Sequence, residues 1–412
     1  MMKAHKPWVY IVSIYNLGNE ISGGDKILIY LIRYLSENYR VRVFCSPEVV
    51  SFIENESNFS ELDIVIVGSR YPVEFEVSIG RLAIHMHSRY LAFKAAINHF
   101  TEIDSPRLIY SASDFLPDIL AGVFLKKKFK AAKFAAGYYL FAPNPFSTKS
   151  PYKGLRRLRG LTYWIMQLLT IKIAKKYANY LFVTSPDEKL TALSRWNNLP
   201  NKIGVLYGGI PVEEIKQYLD QLNSLPPKPL IKYDGVFVGR LHYQKGVINL
   251  IDIWKKVAHI LPMSKLAIIG DGPLFQELIS KIDQAGLQNN VDLLGYKDGL
   301  DKWKIYTQSK ITLHPATFDS GGMAAAEGLA FGLPGLAFDL PSLREYYARG
   351  VIKAKCFSND DFAERIIGLL ENSELYNAMS SEAQTYAFTE WHWRNRLDNA
   401  SIEISGQIGM ML

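Results

Sequence analysis

The sequence predicts an α/β protein built from two doubly wound parallel-sheet domains. Three observations carry this reading. The chain has 412 residues, too many for one ordinary domain. Strand-length apolar runs alternate with longer helical patterns throughout. A proline-rich connector then splits that alternation into two series.

The first series opens with Trp8–Tyr15, an apolar run of strand length, followed by a glycine-bearing turn and by helical spacing over Lys26–Ser36. Val41–Cys45, Ile64–Val67, Leu108–Tyr110, Lys133–Ala136 and Tyr180–Thr184 read as its further strands. Ser224–Pro229 reads Ser-Leu-Pro-Pro-Lys-Pro, a stiff connector, which places the hinge within 205–230. Gly235–Val238, Leu266–Ile269, Val291–Leu294, Ile311–Leu313 and Gly335–Phe338 then form a second series. The expected domains are residues 1–210 and 211–388. Ligands of such sheets sit beyond the carboxyl ends of the strands, so the default site is a cleft between the two domains.

Composition sets limits on function. Apolar residues make up 48% and charged residues 21%, as in a globular protein with a full core. The two cysteines, Cys45 and Cys356, are expected to be free thiols in a reducing cytoplasm. Trp8–Tyr15 has no small-residue cleavage site after it, so it does not read as a secretory signal. The best candidate for a membrane span, Leu161–Ile171, is stopped by Lys172 after 11 residues, where about 20 are needed.

The net charge of +7 is unevenly spread. Residues 1–210 hold 27 Lys+Arg against 16 Asp+Glu, whereas the remainder holds 20 against 24. Residues 119–186 carry 13 basic residues and no acid. That segment reads as a surface for something anionic: a membrane leaflet, a lipid phosphate or a nucleic acid. It lacks any nucleic-acid recognition element, so no nucleic-acid partner is expected.

Four constellations bear on chemistry. Ile21-Ser22-Gly23-Gly24-Asp25 follows the first strand, where glycines admit close backbone approach and a helix N-terminus favours anions. Val236-Phe237-Val238-Gly239-Arg240 ends a strand, and Lys245-Gly246 follows. Two cations at a strand's carboxyl end suit a diphosphate, Arg240 as a planar fork and Lys245 as a point charge. Gly270-Asp271-Gly272-Pro273 and Gly295 close two further strands, with turns able to touch a nucleotide base through main-chain atoms.

The fourth runs from His314 to Ala330. It ends a strand, crosses the loop Asp319-Ser320-Gly321-Gly322 and enters a helix that carries Glu327. The loop's N–H groups suit a phosphate or sugar oxygen, and carboxylates suit sugar and ribose hydroxyls. Ala324–Ala326 and Leu329-Ala330 leave Glu327 no polar face, so it needs a partner.

Arg240…Lys245, the Gly270–Pro273 turn and the acid-x7-Glu loop, in this order and at these separations, resemble the retaining glycosyltransferases of family 4, whose fold is GT-B. The resemblance covers nearly the whole chain and is strongest over 235–340. It implies two Rossmann-like domains, no essential metal or other cofactor, and a nucleotide-diphosphate sugar held by the C-terminal domain. By position it implies that Arg240 and Lys245 hold the diphosphate, that Glu327 binds ribose and that Asp319 contacts the transferred sugar. Gly23 and Gly24 match the family's N-terminal glycine loop, which approaches the donor phosphates. Gly239, Gly272, Ser320, Gly321 and Gly322 complete the donor side. Residues 389–412, beginning near Trp391-His392-Trp393, resemble a last helix that crosses back to the N-terminal domain.

The chain departs from the family at three points. Asp319 stands where the family has Glu, and Ser320-Gly321-Gly322 stands where it has Gly-Phe-Gly. Where the family often has a histidine facing the sugar, this chain has Tyr138 and Tyr139, which are taken as the acceptor side. His85 and His87 are the nearest histidines in sequence. No Asp-x-Asp and no His/Cys cluster of zinc spacing occurs, and none of the nucleophile-elbow or P-loop patterns does.

The expected partners are a nucleotide-sugar donor and a glycan or lipid-linked acceptor, with the protein cytoplasmic and peripheral on the cytoplasmic face of a membrane. Two other readings share the pattern: another GT-B enzyme such as a nucleotide-sugar epimerase, and a non-catalytic nucleotide-sugar-binding subunit.

Overall fold

The computed structural model describes residues 6–15, 22–56, 62–70, 79–98, 105–147, 157–195, 203–224 and 229–408, with positions 100, 150, 152 and 154. Ile21, Arg156 and connector residues 225–228 lie outside the described residues. The chain divides into two units, Met1–Gly208 with Arg396–Leu412, and Gly209–Asn395.

The first unit holds one parallel sheet of seven strands: β1 (Trp8–Ser13), β2 (Arg40–Cys45), β3 (Asp63–Ile66), β4 (Pro106–Ser111), β5 (Lys133–Gly137), β6 (Tyr180–Val183) and β7 (Ile203–Val205). Its helices are α1 (Gly23–Ser36), α2 (Pro47–Glu56), α3 (Ile79–Ile97), α4 (Leu116–Lys128), α5 (Arg157–Tyr177) and α6 (Pro186–Arg195). The strand order is β3-β2-β1-β4-β5-β6-β7, so direction of growth reverses between β1 and β4. Val9 to Val12 are fully buried, as expected of a central strand covered on both faces. They fix the register, with Val9 opposite Val41 and Val12 opposite Phe44. Helix α1 begins at a capping box in which Asp25 N donates to Ser22 Oγ and Ser22 N donates to Asp25 Oδ2.

The second unit repeats the plan with α7 (Val212–Ser224), β8 (Tyr233–Val238), α8 (Val247–Ile260), β9 (Leu266–Ile269), α9 (Phe275–Ala285) and β10 (Val291–Leu293). It continues through α10 (Gly299–Tyr306), β11 (Ser309–His314), α11 (Met323–Ala330), β12 (Gly335–Phe338) and β13 (Val351–Ala354). Helices α12 (Asn359–Glu371), α13 (Ser373–Glu390) and α14 (Trp393–Ile408) close the chain. All six strands are parallel, in the order β10-β9-β8-β11-β12-β13, with the reversal between β8 and β11.

Two strands escape the sequence reading. β7 is a three-residue Ile-Gly-Val edge, and β13 is interrupted by Lys353, so neither presents an apolar run. The last crossing also comes later than the sequence suggests. Trp391 is fully buried within the second unit, where Ile210 N donates to its carbonyl, and the change of unit falls at Asn395/Arg396. Beyond it, Tyr34 Oη donates to Asp398 Oδ1 at 2.8 Å and Arg396 stacks over the Tyr207 ring.

Candidate active site

The chemistry of the second unit gathers at the carboxyl ends of β8 and β11, the strands that flank its switch point. After β8 the chain passes Gly239 and Arg240 and makes a short 3-10 turn, Tyr243–Lys245. His242 caps that turn, accepting from Gln244 N at 3.3 Å through Nδ1. Gly246 ends it at φ +68°, a left-handed conformation costly for other residues. A Cβ on Gly246 would stand 1.9 Å from the Pro315 carbonyl oxygen. Glycine therefore lets the turn lie directly on the loop after β11. Thr317 N and Phe318 N both donate to Gln244 O, at 2.8 and 3.3 Å, which welds the two loops together.

This weld brings Lys245 to Asp319. Lys245 Nζ lies 2.6 Å and His314 Nε2 3.0 Å from Asp319 Oδ2. The other oxygen, Oδ1, accepts from Ser320 N at 2.9 Å and Gly321 N at 3.3 Å. Three donors thus bond the carboxylate, Lys245 Nζ, Ser320 N and Gly321 N, and the His314 ring lies against it. Burial alone would push the Asp319 carboxyl up, but the Lys245 ammonium and the His314 contact outweigh it and hold it well below the usual carboxylate range. The shorter acid at this position is therefore the internal anchor of its own loop.

Ser320-Gly321-Gly322 passes over two tyrosines. Tyr347, fully buried, donates to Gly322 O, and its hydroxyl would be 1.8 Å from a Cβ on Gly322. The Tyr346 ring lies 3.3 Å from where a Gly321 Cβ would stand, so the loop's aromatic neighbour comes from this segment. Trp391 backs both rings, with centroids 5.2 and 5.8 Å away.

Glu327 sits on α11 with only 3% of its surface exposed, and its partner is Lys302 of α10. Lys302 Nζ is 2.6 Å from Glu327 Oε2 and 2.6 Å from Asp298 Oδ1. Arg240 is exposed at the end of β8. Gly239 and Gly272 are scaffold: Gly239 N donates to Ile269 O, and Leu241 N donates to Asp271 O beside Gly272, joining the loops after β8 and β9.

In the first unit, Gly23 and Gly24 open α1. A Cβ on Gly24 would lie 3.2 Å from the Tyr139 ring, so the glycine turn packs on that tyrosine. Tyr139 is partly exposed and its hydroxyl bonds the Tyr110 hydroxyl. Tyr138 is different: it is wholly buried in the core and stacks on Phe141. Of the two tyrosines, only Tyr139 is open to solvent.

A buried polar network lies beside them. Gln167 Nε2 donates to Asp114 Oδ2 at 2.7 Å and to Leu140 O at 2.9 Å, and Tyr163 Oη donates to both acceptors at 3.2 Å. Asp118 accepts from Ile14 N at 2.9 Å and Ser113 Oγ at 2.5 Å. Burial pushes Asp114 up to about 6 and Asp118 up to about 8. His85 is a packing residue: it is 8% exposed, 5.9 Å from the Tyr15 ring, and burial lowers its pKa.

The acid-free segment forms α4 and α5, with α4 packed between α3 and α5. Its outer surface joins apolar and basic groups. Leu158, Ile165 and Leu169 are exposed along α5, followed by Lys172, Lys175 and Lys176; Ile84 and Leu91 are exposed on α3. Among the described residues no helix is long and apolar enough to cross a membrane.

Residues 226–386, which carry Arg240, Lys245, Asp319 and Glu327, match the family model of the glycosyl transferases group 1. This stretch is similar to a group 1 glycosyl transferase domain. An uncharacterized glycosyltransferase of Methanocaldococcus jannaschii is 29% identical over 174 residues, 42% of this chain and 42% of that protein. The poly(glycerol-phosphate) alpha-glucosyltransferase of Bacillus subtilis is 26% identical over 162 residues, 38% of this chain and 23% of that protein. The chain thus spans less than half the length of these two relatives. Among solved structures, Anabaena HepE in complex with UDP and glucose superposes with a TM-score of 0.69 at 16% identity, covering 97% of this chain and all of that one. The two parallel α/β units and such neighbours establish the GT-B fold.

Within this stretch, sequence reasoning found the acids and cations but not their pairings. Lys302 carries no signal in the sequence: Asp298 and Lys302 stand at i, i+4, the spacing of any exposed helical pair. His314 enters the sequence reading only as the first residue of the fourth constellation. Nothing in the sequence singles out Tyr346 or Tyr347.

Proposed function

We propose that this protein is a retaining glycosyltransferase that moves a sugar from a nucleotide-diphosphate sugar to an acceptor. One observation carries the reading: Lys245, Asp319 and His314 are assembled on two welded loops at the switch point, with Arg240 exposed in the loop that also carries Lys245. The diphosphate is the leaving group. Arg240 and Lys245 neutralise the charge that grows on it as the bond from the sugar's anomeric carbon to phosphate oxygen breaks. The acceptor oxygen bonds the same face of that carbon, and its proton passes to the departing phosphate. No protein nucleophile is needed, because a neutralised diphosphate leaves without a general acid.

Asp319 and Lys245 change partners in this scheme. When phosphate takes the Lys245 ammonium, one lone pair of Asp319 Oδ2 is released to a sugar hydroxyl, while His314 and the loop N–H groups keep the carboxylate in place. Glu327 takes the ribose hydroxyls. Tyr139 lines the acceptor side. The UDP held by the Anabaena neighbour supports a uridine diphosphate donor.

A thermal-shift screen against UDP-, GDP- and ADP-sugars with and without EDTA tests the reading, since a bound donor stabilises by mass action. Transfer that needs an added divalent ion, product of inverted configuration, or a trapped glycosyl-Asp319 adduct refutes it.

The acceptor is presented at an anionic membrane surface by α3, α4 and α5. The exposed Leu158, Ile165 and Leu169 favour a bilayer over a soluble polyanion, which offers nothing apolar to bury. Each lysine near the surface contributes about 1 kcal/mol, screened by salt. Vesicle flotation tests this, with anionic vesicles retaining the protein at low salt. Equal binding to neutral vesicles removes the electrostatic part.

A further inference from the structure

The pairing of Glu327 with Lys302 goes beyond this scheme. We infer that Lys302 is a positioning residue for the nucleotide: it holds the Glu327 carboxylate in the orientation that reads the donor's ribose. The inference rests on the proposed ribose contact of Glu327.

Three features support it. Both side chains are buried, with 6% and 4% of their surfaces exposed, and their charged atoms are 2.6 Å apart. A carboxylate so far from water takes up a proton unless a cation lies beside it, and the protonated acid loses acceptor capacity. Lys302 is also fixed in its turn. Asp298, at the N-cap position of α10, grips the same ammonium at 2.6 Å, so Lys302 is held by a second carboxylate from its own helix start.

The two helices cannot drift apart. Tyr306 Oη donates to Ala324 O at 2.6 Å, linking α10 to α11, and the Tyr306 ring stacks on Phe331 at 5.3 Å. The ammonium is thereby presented to Glu327 from α10. A buried pair of this kind contributes little to net stability, because desolvation offsets the attraction. What it fixes is where the carboxylate points. Among the described residues the Lys302 ammonium pairs with Asp298 and Glu327 and with no residue of the Lys245–Asp319 cluster, so its effect falls on the nucleotide and leaves the transferred sugar alone.

The test compares a ribonucleotide with its 2′,3′-dideoxy analogue, using UDP and dideoxy-UDP (or the ADP pair if the donor screen selects adenine). Wild type is expected to prefer the ribonucleotide at least tenfold. Lys302→Met should reduce that preference below threefold and raise the donor KM about tenfold, with kcat changed less than threefold. Lys302→Arg, which keeps the cation, should restore most of the preference. Lys302→Gln, smaller and still a hydrogen-bond donor, should fall between and serves if the methionine variant does not fold. Full ribose preference in folded Lys302→Met or Lys302→Gln overturns the inference. Wild type that does not distinguish the two nucleotides overturns the ribose contact of Glu327 itself, and the two failures are thereby told apart.

Discussion

Replacing Gly246 by alanine tests the weld between the loops after β8 and β11. Two costs add at this position. The backbone is at φ +68°, where an L side chain costs about 1–2 kcal/mol. The new Cβ would also stand 1.9 Å from the Pro315 carbonyl oxygen, a main-chain atom that cannot swing aside. The loops must part by about 1 Å to reach even the tightest real contact, and forced overpacking costs about 1–3 kcal/mol. The total is about 3 kcal/mol, or about 6–12 °C in the melting temperature of a unit this size. Opening the loops also strains the bonds from Thr317 and Phe318 to Gln244 O and separates Lys245 from Asp319, so donor kcat/KM should fall at least tenfold. Scanning calorimetry and donor kinetics read the two effects. Gly246→Asn separates the causes, because asparagine tolerates the left-handed region but still carries a Cβ. If the asparagine variant is as stable as wild type, or alanine shifts the melting temperature by less than 2 °C, the close approach to Pro315 does not hold the site together.

Other perturbations have equally definite outcomes. Arg240→Ala should lower donor kcat/KM by about 30- to 1000-fold, equivalent to about 2–4 kcal/mol of transition-state stabilisation, and a change under threefold counts against the diphosphate contact. Asp319→Asn should keep measurable activity, since an amide still pairs with a hydroxyl, whereas Asp319→Ala should lose far more; equal losses would deny Asp319 a hydrogen-bonding role. Because Asp319 is held below its ordinary pKa of 3.8, its ionised form stabilises the fold above that value and loses this effect as pH falls further. The gap in melting temperature between wild type and Asp319→Asn should be constant from pH 5 to 8 and close below pH 4. Asp118 is opposite in sign: with its pKa raised to about 8, folding is favoured when it is protonated, so stability declines as pH rises from about 4 to 8. Asp118→Asn should flatten that decline, and an unchanged slope would show that another group causes it.

Much of this arrangement is legible in the chain. The alternation of apolar runs and helical spacing yields both sheets, because parallel strands covered on both faces must be continuously apolar. Arg240, Lys245, Asp319 and Glu327 stand out because charged residues at the carboxyl ends of such strands are seldom scaffold. What the chain hides is pairing. His314 and Asp319 are five residues apart and meet only because the loop folds back, while Lys245 is 74 residues from Asp319 and meets it through Gly246. Lys302 and Glu327 lie on helices whose mutual placement depends on Tyr306 and Phe331. Tyr138 and Tyr139 look equivalent as neighbours in sequence. Just beyond β5 one enters the core and the other lies beside the glycine turn, a distinction of facing that a local motif does not carry.

The two strand orders have a consequence of their own. β1 and β4 in one unit stand where β8 and β11 stand in the other, so a single half-fold is laid down twice in the chain. Equivalent loops have nonetheless been given opposite electrical characters. After β11, Asp319 is kept charged by a lysine; after β4, Asp114 and Asp118 are pushed toward the neutral form by burial among amide and hydroxyl groups. Between pH 4 and 8 the charge of the first loop cluster therefore changes while the carboxylate of the second stays ionised. Acidity becomes a dial that turns one half of a duplicated frame and leaves its twin at rest.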